Sequence, residues 1–187
     1  MGPDSTVSKT TILRGDRMTM EIRLLEEQDA KEYWALRKEA LTQDPGAFGE
    51  TYKEATSHDN PVERIEKTIK RDHEHIFGAF IDERLLGIAT LTIDTTVKTQ
   101  HRGYIGSVYV SPDARGNGAG AAIMKAIIAW AHAHDHLEKL DLGVFTSNQR
   151  AFELYKKLGF EVIGVDKKSI RDEDGAFIDE YLMTYLL

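Results

Sequence analysis

The stretch Val110-Ser-Pro-Asp-Ala-Arg115-Gly116-Asn117-Gly118-Ala119-Gly120 holds the residue types best suited to chemistry in this chain. Pro112 cannot extend a sheet ladder, so a strand that runs into it must end there. Gly116, Gly118 and Gly120 reach backbone conformations closed to other residues and leave no side chains in the way. The N–H groups of 116–120 can therefore converge on one point. If a helix begins at that point, its unpaired donors and partial positive charge make a seat for phosphate. Arg115 adds a full positive charge beside it. A ligand carrying a diphosphate is the natural occupant.

A loose dinucleotide fingerprint, Gly116-x-Gly118-x-x-Ala121, overlaps the same loop, so NAD or FAD competes for it. That fingerprint normally opens a run of repeated strand–helix units, and only about a third of the chain follows here. Glu138 and Asp141 could pose as the ribose-binding acid, but Leu140 and Leu142 make Asp141 the outward residue of an alternating strand. A P-loop is excluded, because neither Gly-Lys-Ser nor Gly-Lys-Thr occurs.

The elements that must hold the loop follow from periodicity. Residues 20–25 alternate as a strand, and 26–41 place Ala30, Tyr33, Trp34, Arg37 and Leu41 at helical spacing. Residues 42–52, with Asp44-Pro45-Gly46, read as a loop, and a second helix runs from Pro61 through Ile65 and Ile69. Strands at 75–81 and 85–93 flank the turn at 82–84, and a strand at 101–111 ends in Val108-Tyr109-Val110. Beyond the glycines, 119–136 predicts a helix with Ile123, Ile127, Trp130 and His134 on one stripe. Residues 137–145 predict a strand, 148–158 a helix stopped by Gly159, and 160–170 and 177–185 a last strand pair joined at 172–175. Several strands are joined by hairpins while helices intervene elsewhere. The expected class is α/β (α+β): one mixed, mostly antiparallel, twisted sheet of about seven strands with helices on both faces.

Composition narrows the functions. The 187 residues are 41% hydrophobic and 29% charged, which suits one domain with a real core. Residues 1–17 read as a polar leader and 18–187 as the domain. Acidic residues outnumber basic ones, 31 to 24, for a net charge of −7, which disfavours a nucleic-acid partner. The absence of cysteine removes disulfides, thiolate nucleophiles and Cys-ligated zinc. The apolar run at 119–131 is interrupted by Lys125 and too short for a membrane span. With no signal peptide visible either, a cytoplasmic protein without a membrane partner is expected.

Two motifs together resemble one family. Arg115-x-x-Gly118-x-Gly120 is similar to the acetyl-CoA pyrophosphate loop of GNAT-type N-acetyltransferases. Asn148-Gln-Arg-Ala151-Phe152-Glu-Leu154-Tyr155-Lys156-Lys157-Leu158-Gly159-Phe160 is similar to that family's second signature. The order of predicted elements from Met20 onward also resembles the GNAT acyl-CoA N-acyltransferase fold. The resemblance implies an enzyme that moves acetyl from acetyl-CoA to a primary amine by direct attack in a ternary complex. The amine is that of a small molecule or a protein, no metal takes part, and a homodimer is left open. The alternative is a non-catalytic acyl-CoA-binding or sensing module on the same fold.

The resemblance also implies roles for residues. The strand before the loop and the strand at 137–145 splay apart, and CoA lies in the gap. Val108, Tyr109 and Val110 then meet the pantetheine arm, with an N–H near Val110 polarising the thioester carbonyl. Arg115, Gly116, Asn117, Gly118, Ala119 and Gly120 hold the pyrophosphate. Asn148 and Phe152 join the cofactor site; Asn148 is equally a helix N-cap by residue type. Tyr155 becomes the general acid for the departing sulfur, although Phe152, Tyr155 and Leu158 also mark a core stripe. For a general base the sequence offers Glu50, Glu54, Asp94 and His101 without choosing among them.

Two lookalikes are set aside. His132, His134 and His136 suggest a metal, but only His132 and His136 share a helical face and no third ligand appears. Asp172-Glu-Asp-Gly175 begins like a calcium loop but lacks its later Glu, so it reads as a turn.

Overall fold

The structure, a computed structural model, describes residues 19–172 and 174–187. The leader read at 1–17 lies outside the described residues. Seven strands make one sheet: β1 (Met20–Leu24), β2 (Glu74–Ile81), β3 (Arg84–Ile93), β4 (Arg102–Val110), β5 (Lys139–Phe145), β6 (Glu161–Arg171) and β7 (Phe177–Leu186). Their order across the sheet is β1-β2-β3-β4-β5-β7-β6. Every neighbouring pair is antiparallel except β4 with β5, which are parallel. This is the mixed, mostly antiparallel sheet that the sequence predicts. The single parallel junction lies at its middle.

Among the described residues five α-helices cover the two faces: α1 (Ala30–Gln43), α2 (Tyr52–Thr56), α3 (Pro61–Ile69), α4 (Ala119–His132) and α5 (Gln149–Lys157). On one face Leu36 and Ala40 of α1 pack with Ile76, Phe80, Ile88 and Tyr109. On the other, Ile123, Met124 and Ile127 of α4 and Tyr155 of α5 pack on Phe77, Leu91, Ile105, Leu140, Leu142 and Met183. Covered on both sides, β2 is buried from Ile76 to Ile81, which explains its unbroken apolar run. Outside that cover the sheet alternates: in β5 only Leu140, Leu142 and Val144 are buried.

Local chemistry fixes the helix ends. The Glu26 N–H donates to Asp29 at 2.7 Å, and Arg23 grips the same carboxylate with two hydrogen bonds of 2.6 and 2.8 Å. That knot makes a 3-10 turn at Glu27–Asp29, so α1 starts at Ala30, later than the periodicity suggests. Within the expected loop at 42–52, Thr51 accepts from the Glu54 N–H, and Glu54 accepts from the Thr51 N–H. This capping box starts α2, a helix too short for periodicity to reveal. α4 stops at His132, four residues before its expected end, and its buried stripe is Ile123, Met124, Ile127 and Ala131. Trp130 and His134 instead stack on each other, ring centroids 3.5 Å apart, with His75 on Trp130 at 4.3 Å. The turn after β6 closes as expected, with Asp172 accepting from the Ala176 N–H.

Candidate active site

β4 and β5 pair only from Arg102↔Lys139 to Ile105↔Leu142. Beyond that point β4 stays with β3 as far as Val110, and β5 stays with β7 as far as Phe145. The two strands therefore part and leave a gap in the sheet. A bulge in β4 begins there. Ile88 faces Tyr109 and Thr90 faces Gly106, so β4 carries an extra residue against β3. Ser107 lies inside it at φ 52, a left-handed conformation that a non-glycine residue seldom adopts. Such strain persists only where its surroundings hold it, and it clusters at functional sites.

A cleft of about 1010 Å³ opens at this parting. The start of α4 forms one wall, α5 another, and the loop at 46–49 a third. Gly116 and Gly118 sit at φ 84 and 82, and Gly118 is the N-cap of α4. A Cβ built on either would meet nothing within 4 Å, so the space in front of the helix end is open. Gly120, already helical, serves differently: a Cβ there would touch Leu154 and Val110 at 3.6 Å, ordinary contact distance.

Val108, Tyr109, Val110, Arg115, Gly116, Gly118, Ala119, Gly120, Asn148 and Tyr155 all line the cleft. Asn117 and Phe152 are not among its lining. Phe152 turns toward β7 and packs on Tyr181, ring centroids 4.6 Å apart; Ala151 and Leu154 line the cleft from that helix. Tyr109 sends its buried ring under α1, where its hydroxyl donates to Glu39 at 3.0 Å. Asn148 caps α5 by accepting from the Ala151 N–H at 3.1 Å. The sequence sets the Arg115 charge beside phosphate, but the guanidinium turns back. Its Nε donates to the Val110 carbonyl at 3.0 Å and its Nη2 pairs with Asp44. The charge is shared with an acid, and the side chain ties the end of β4 to the loop after α1.

Tyr155 is 4% exposed, and burial, reinforced by nearby Tyr104, raises its hydroxyl pKa. It therefore stays protonated across the neutral range. Tyr104 lies on β4 at the parting, its own pKa raised by desolvation and then by the Glu180 carboxylate.

The sequence missed Glu180. It pairs in register with Phe145, and its side chain lies over Gly143, where an added Cβ would come within 2.7 Å of its Cδ. Ser169 donates to its Oε2 at 2.8 Å. Glycine at 143 is thus the window through which a β7 carboxylate reaches the cleft. None of the four base candidates that the sequence offered is among the lining of this cleft. Glu50 pairs with Arg37, Glu54 caps α2, and Asp94 and His101 sit at the far end of β4. Only strand register could have revealed Glu180.

No helix among the described residues is long and apolar enough to cross a membrane. Nor do the described residues bring three or more His, Asp or Glu together to hold a metal.

A seven-stranded sheet parted at its one parallel junction, with a glycine-started helix beside the gap, defines an acyl-CoA N-acyltransferase-like fold. Residues 26–160 match the acetyltransferase (GNAT) family, and the chain belongs to that family. Among solved structures, a GNAT-family acetyltransferase from Streptococcus pneumoniae superposes with a TM-score of 0.75 at 29% identity, covering 90% of this chain and 99% of that one. The protein yncA of Salmonella typhimurium, determined with its cofactor acetyl-CoA, has a TM-score of 0.77 at 17% identity over 90% of this chain and 94% of its own. The L-amino acid N-acetyltransferase of Escherichia coli is 29% identical over 106 residues. That match takes in 56% of this chain and 64% of the relative, so it spans less than two thirds of the relative's length.

Proposed function

We propose that this chain transfers the acetyl group of acetyl-CoA to a primary amine, by direct attack of the amine while both substrates are bound. The observation that carries the reading is the parting of β4 and β5 beside an α4 that opens on two left-handed glycines. The open space before Gly116 and Gly118 fits a diphosphate, and a strand edge at 106–110 without a β5 partner fits the amide-bearing pantetheine arm. The Salmonella neighbour, with acetyl-CoA as its cofactor, supports the same ligand.

In this reading acetyl-CoA supplies an activated thioester, and the protein supplies position and proton traffic. The N–H groups at 116–120 hold the diphosphate. The N–H near Val110 faces the thioester oxygen and stabilises charge that develops there, an effect worth about 3 kcal/mol in comparable sites. Tyr155, kept protonated by burial, donates its proton to the departing sulfur. Glu180 receives the proton that the amine sheds; its support is its place over Gly143 in the cleft wall. The oxygen of Asn148 is committed to the helix cap, which leaves its amide N–H₂ to face the arm.

The test is transfer from isotopically labelled acetyl-CoA to a panel of amines, with products identified by mass spectrometry. The expected product is an N-acetyl amine formed with stoichiometric release of CoA. Tight acetyl-CoA binding with no labelled amide from any acceptor would favour a sensing module instead.

A further inference from the structure

A second recess, of about 340 Å³, lies between α1, α2 and α3. Arg37 and Ser107 line both this recess and the main cleft, so the two meet at the β4 bulge. Arg37 is the odd residue of the junction. Its side chain is only 13% exposed, and its Nη2 donates to Glu50 at 3.1 Å. The guanidinium carbon sits 4.6 Å from the centre of the Phe48 ring. Its Nη1 is buried and has no hydrogen-bond partner. An unmatched buried donor on a charged group is costly, and folded proteins seldom tolerate one without a reason.

The recess around it is basic in an otherwise acidic chain. Arg37, Arg64, Lys67 and Arg71 line it against Glu50 alone among carboxylates. Lys67 and Arg71 are paired with Glu63 and Glu74. Arg64 enters no ion pair among the described residues. Tyr33, Trp34 and Ile65 supply an apolar wall. We infer that this recess takes the acceptor's anionic end: the acceptor is a small amine that also bears a carboxylate, and the Arg37 guanidinium binds that carboxylate. The inference rests on the acetyltransferase reading and adds the substrate class to it.

Two features select a carboxylate over a phosphate. Arg37 has one unmatched nitrogen rather than a ring of donors, and Glu50 beside it opposes a dianion more than a monoanion. The opposite side of the cleft carries Glu180 and Tyr104, where a cationic amine is welcome before it loses its proton. An acceptor with both charges thus meets both kinds of wall.

The experiment compares α-amino acids with their amides and with an aminoalkyl phosphate, using wild type and Arg37→Gln. Acetyl-CoA affinity is measured on each protein by calorimetry. For wild type, kcat/KM should favour the acid over its amide by about 10²-fold or more, as sites built around a buried charged partner do. In Arg37→Gln the acid-to-amide ratio should collapse toward one. Equal rates on acid and amide in wild type would overturn the inference while leaving the acetyltransferase intact. So would preference for the phosphate, or the absence of turnover with every amino acid in a protein that binds acetyl-CoA. Failure to bind acetyl-CoA would instead overturn the reading beneath it.

Discussion

The two sides of the cleft are made of different material. The proposed cosubstrate side consists largely of main chain: the end of β4, the bulge, and the left-handed glycines before α4. The proposed acceptor region consists of side chains, with Arg37 from α1, Arg64 from α3 in the adjoining recess, and Glu180 from β7 opposite them. Main chain can be aimed only by strand breaks, turns and glycines, and these leave a local signature. Side chains brought together from three distant segments leave none.

Tyr155 offers the largest expected effect, because it belongs to the signature-bearing side and its proposed role runs through a side chain. Tyr155→Phe removes one oxygen and keeps the ring in the core. Single-turnover acetyl transfer should fall about 10²–10⁴-fold while acetyl-CoA affinity barely changes. Wild-type single-turnover rates would reduce Tyr155 to a core residue.

Glu180 tests the other side. Glu180→Gln should lower kcat about 10–10²-fold, within or just under the usual range for a single proton acceptor, and leave acetyl-CoA affinity intact. Gly143→Ala should reproduce that loss with the carboxylate still present, since the new methyl would displace it. If Gly143→Ala is active and Glu180→Gln is not, the carboxylate works without its window. If both are active, water or another group takes the proton.

That pair also shows how far the sequence could be read. Every strand of the sheet is visible in the sequence, because alternation and continuous apolar runs report directly on one-sided or two-sided cover. The glycine loop and the place of Tyr155 are visible for the same reason: spacing along one segment. What escapes depends on register or on small local knots. Glu180 reaches the cleft only because it faces Phe145 in a neighbouring strand and passes over a glycine. α2 and the late start of α1 depend on short-range hydrogen bonds made by Glu54 and Asp29. The turn of Phe152 toward β7 depends on Tyr181.

Arg115 gives the smallest expected effect and sharpens the boundary between the two sides. Its ties to Val110 and Asp44 make it a brace between them, on a partly exposed site. Arg115→Ala should lower stability by about 1 kcal/mol in thermal denaturation, the scale of such a pair. Acetyl-CoA affinity should fall by less than tenfold. A larger loss, confined to ligands that carry the diphosphate and without loss of stability, would restore Arg115 as a direct phosphate contact.

The proposed function turns on the gap beside α4 being an acetyl-CoA site seated on its diphosphate. Calorimetric titration of acetyl-CoA and of acetyl-pantetheine, against wild type and Gly118→Val, tests it most directly. At φ 82 valine is strained, and its branched side chain enters the space before the helix. Wild type should bind acetyl-CoA more than about tenfold tighter than acetyl-pantetheine, a difference that one charge-assisted contact suffices to make. In folded Gly118→Val that advantage should vanish. Folded wild-type protein that binds no acetyl-CoA, or binds both ligands equally, would contradict the account.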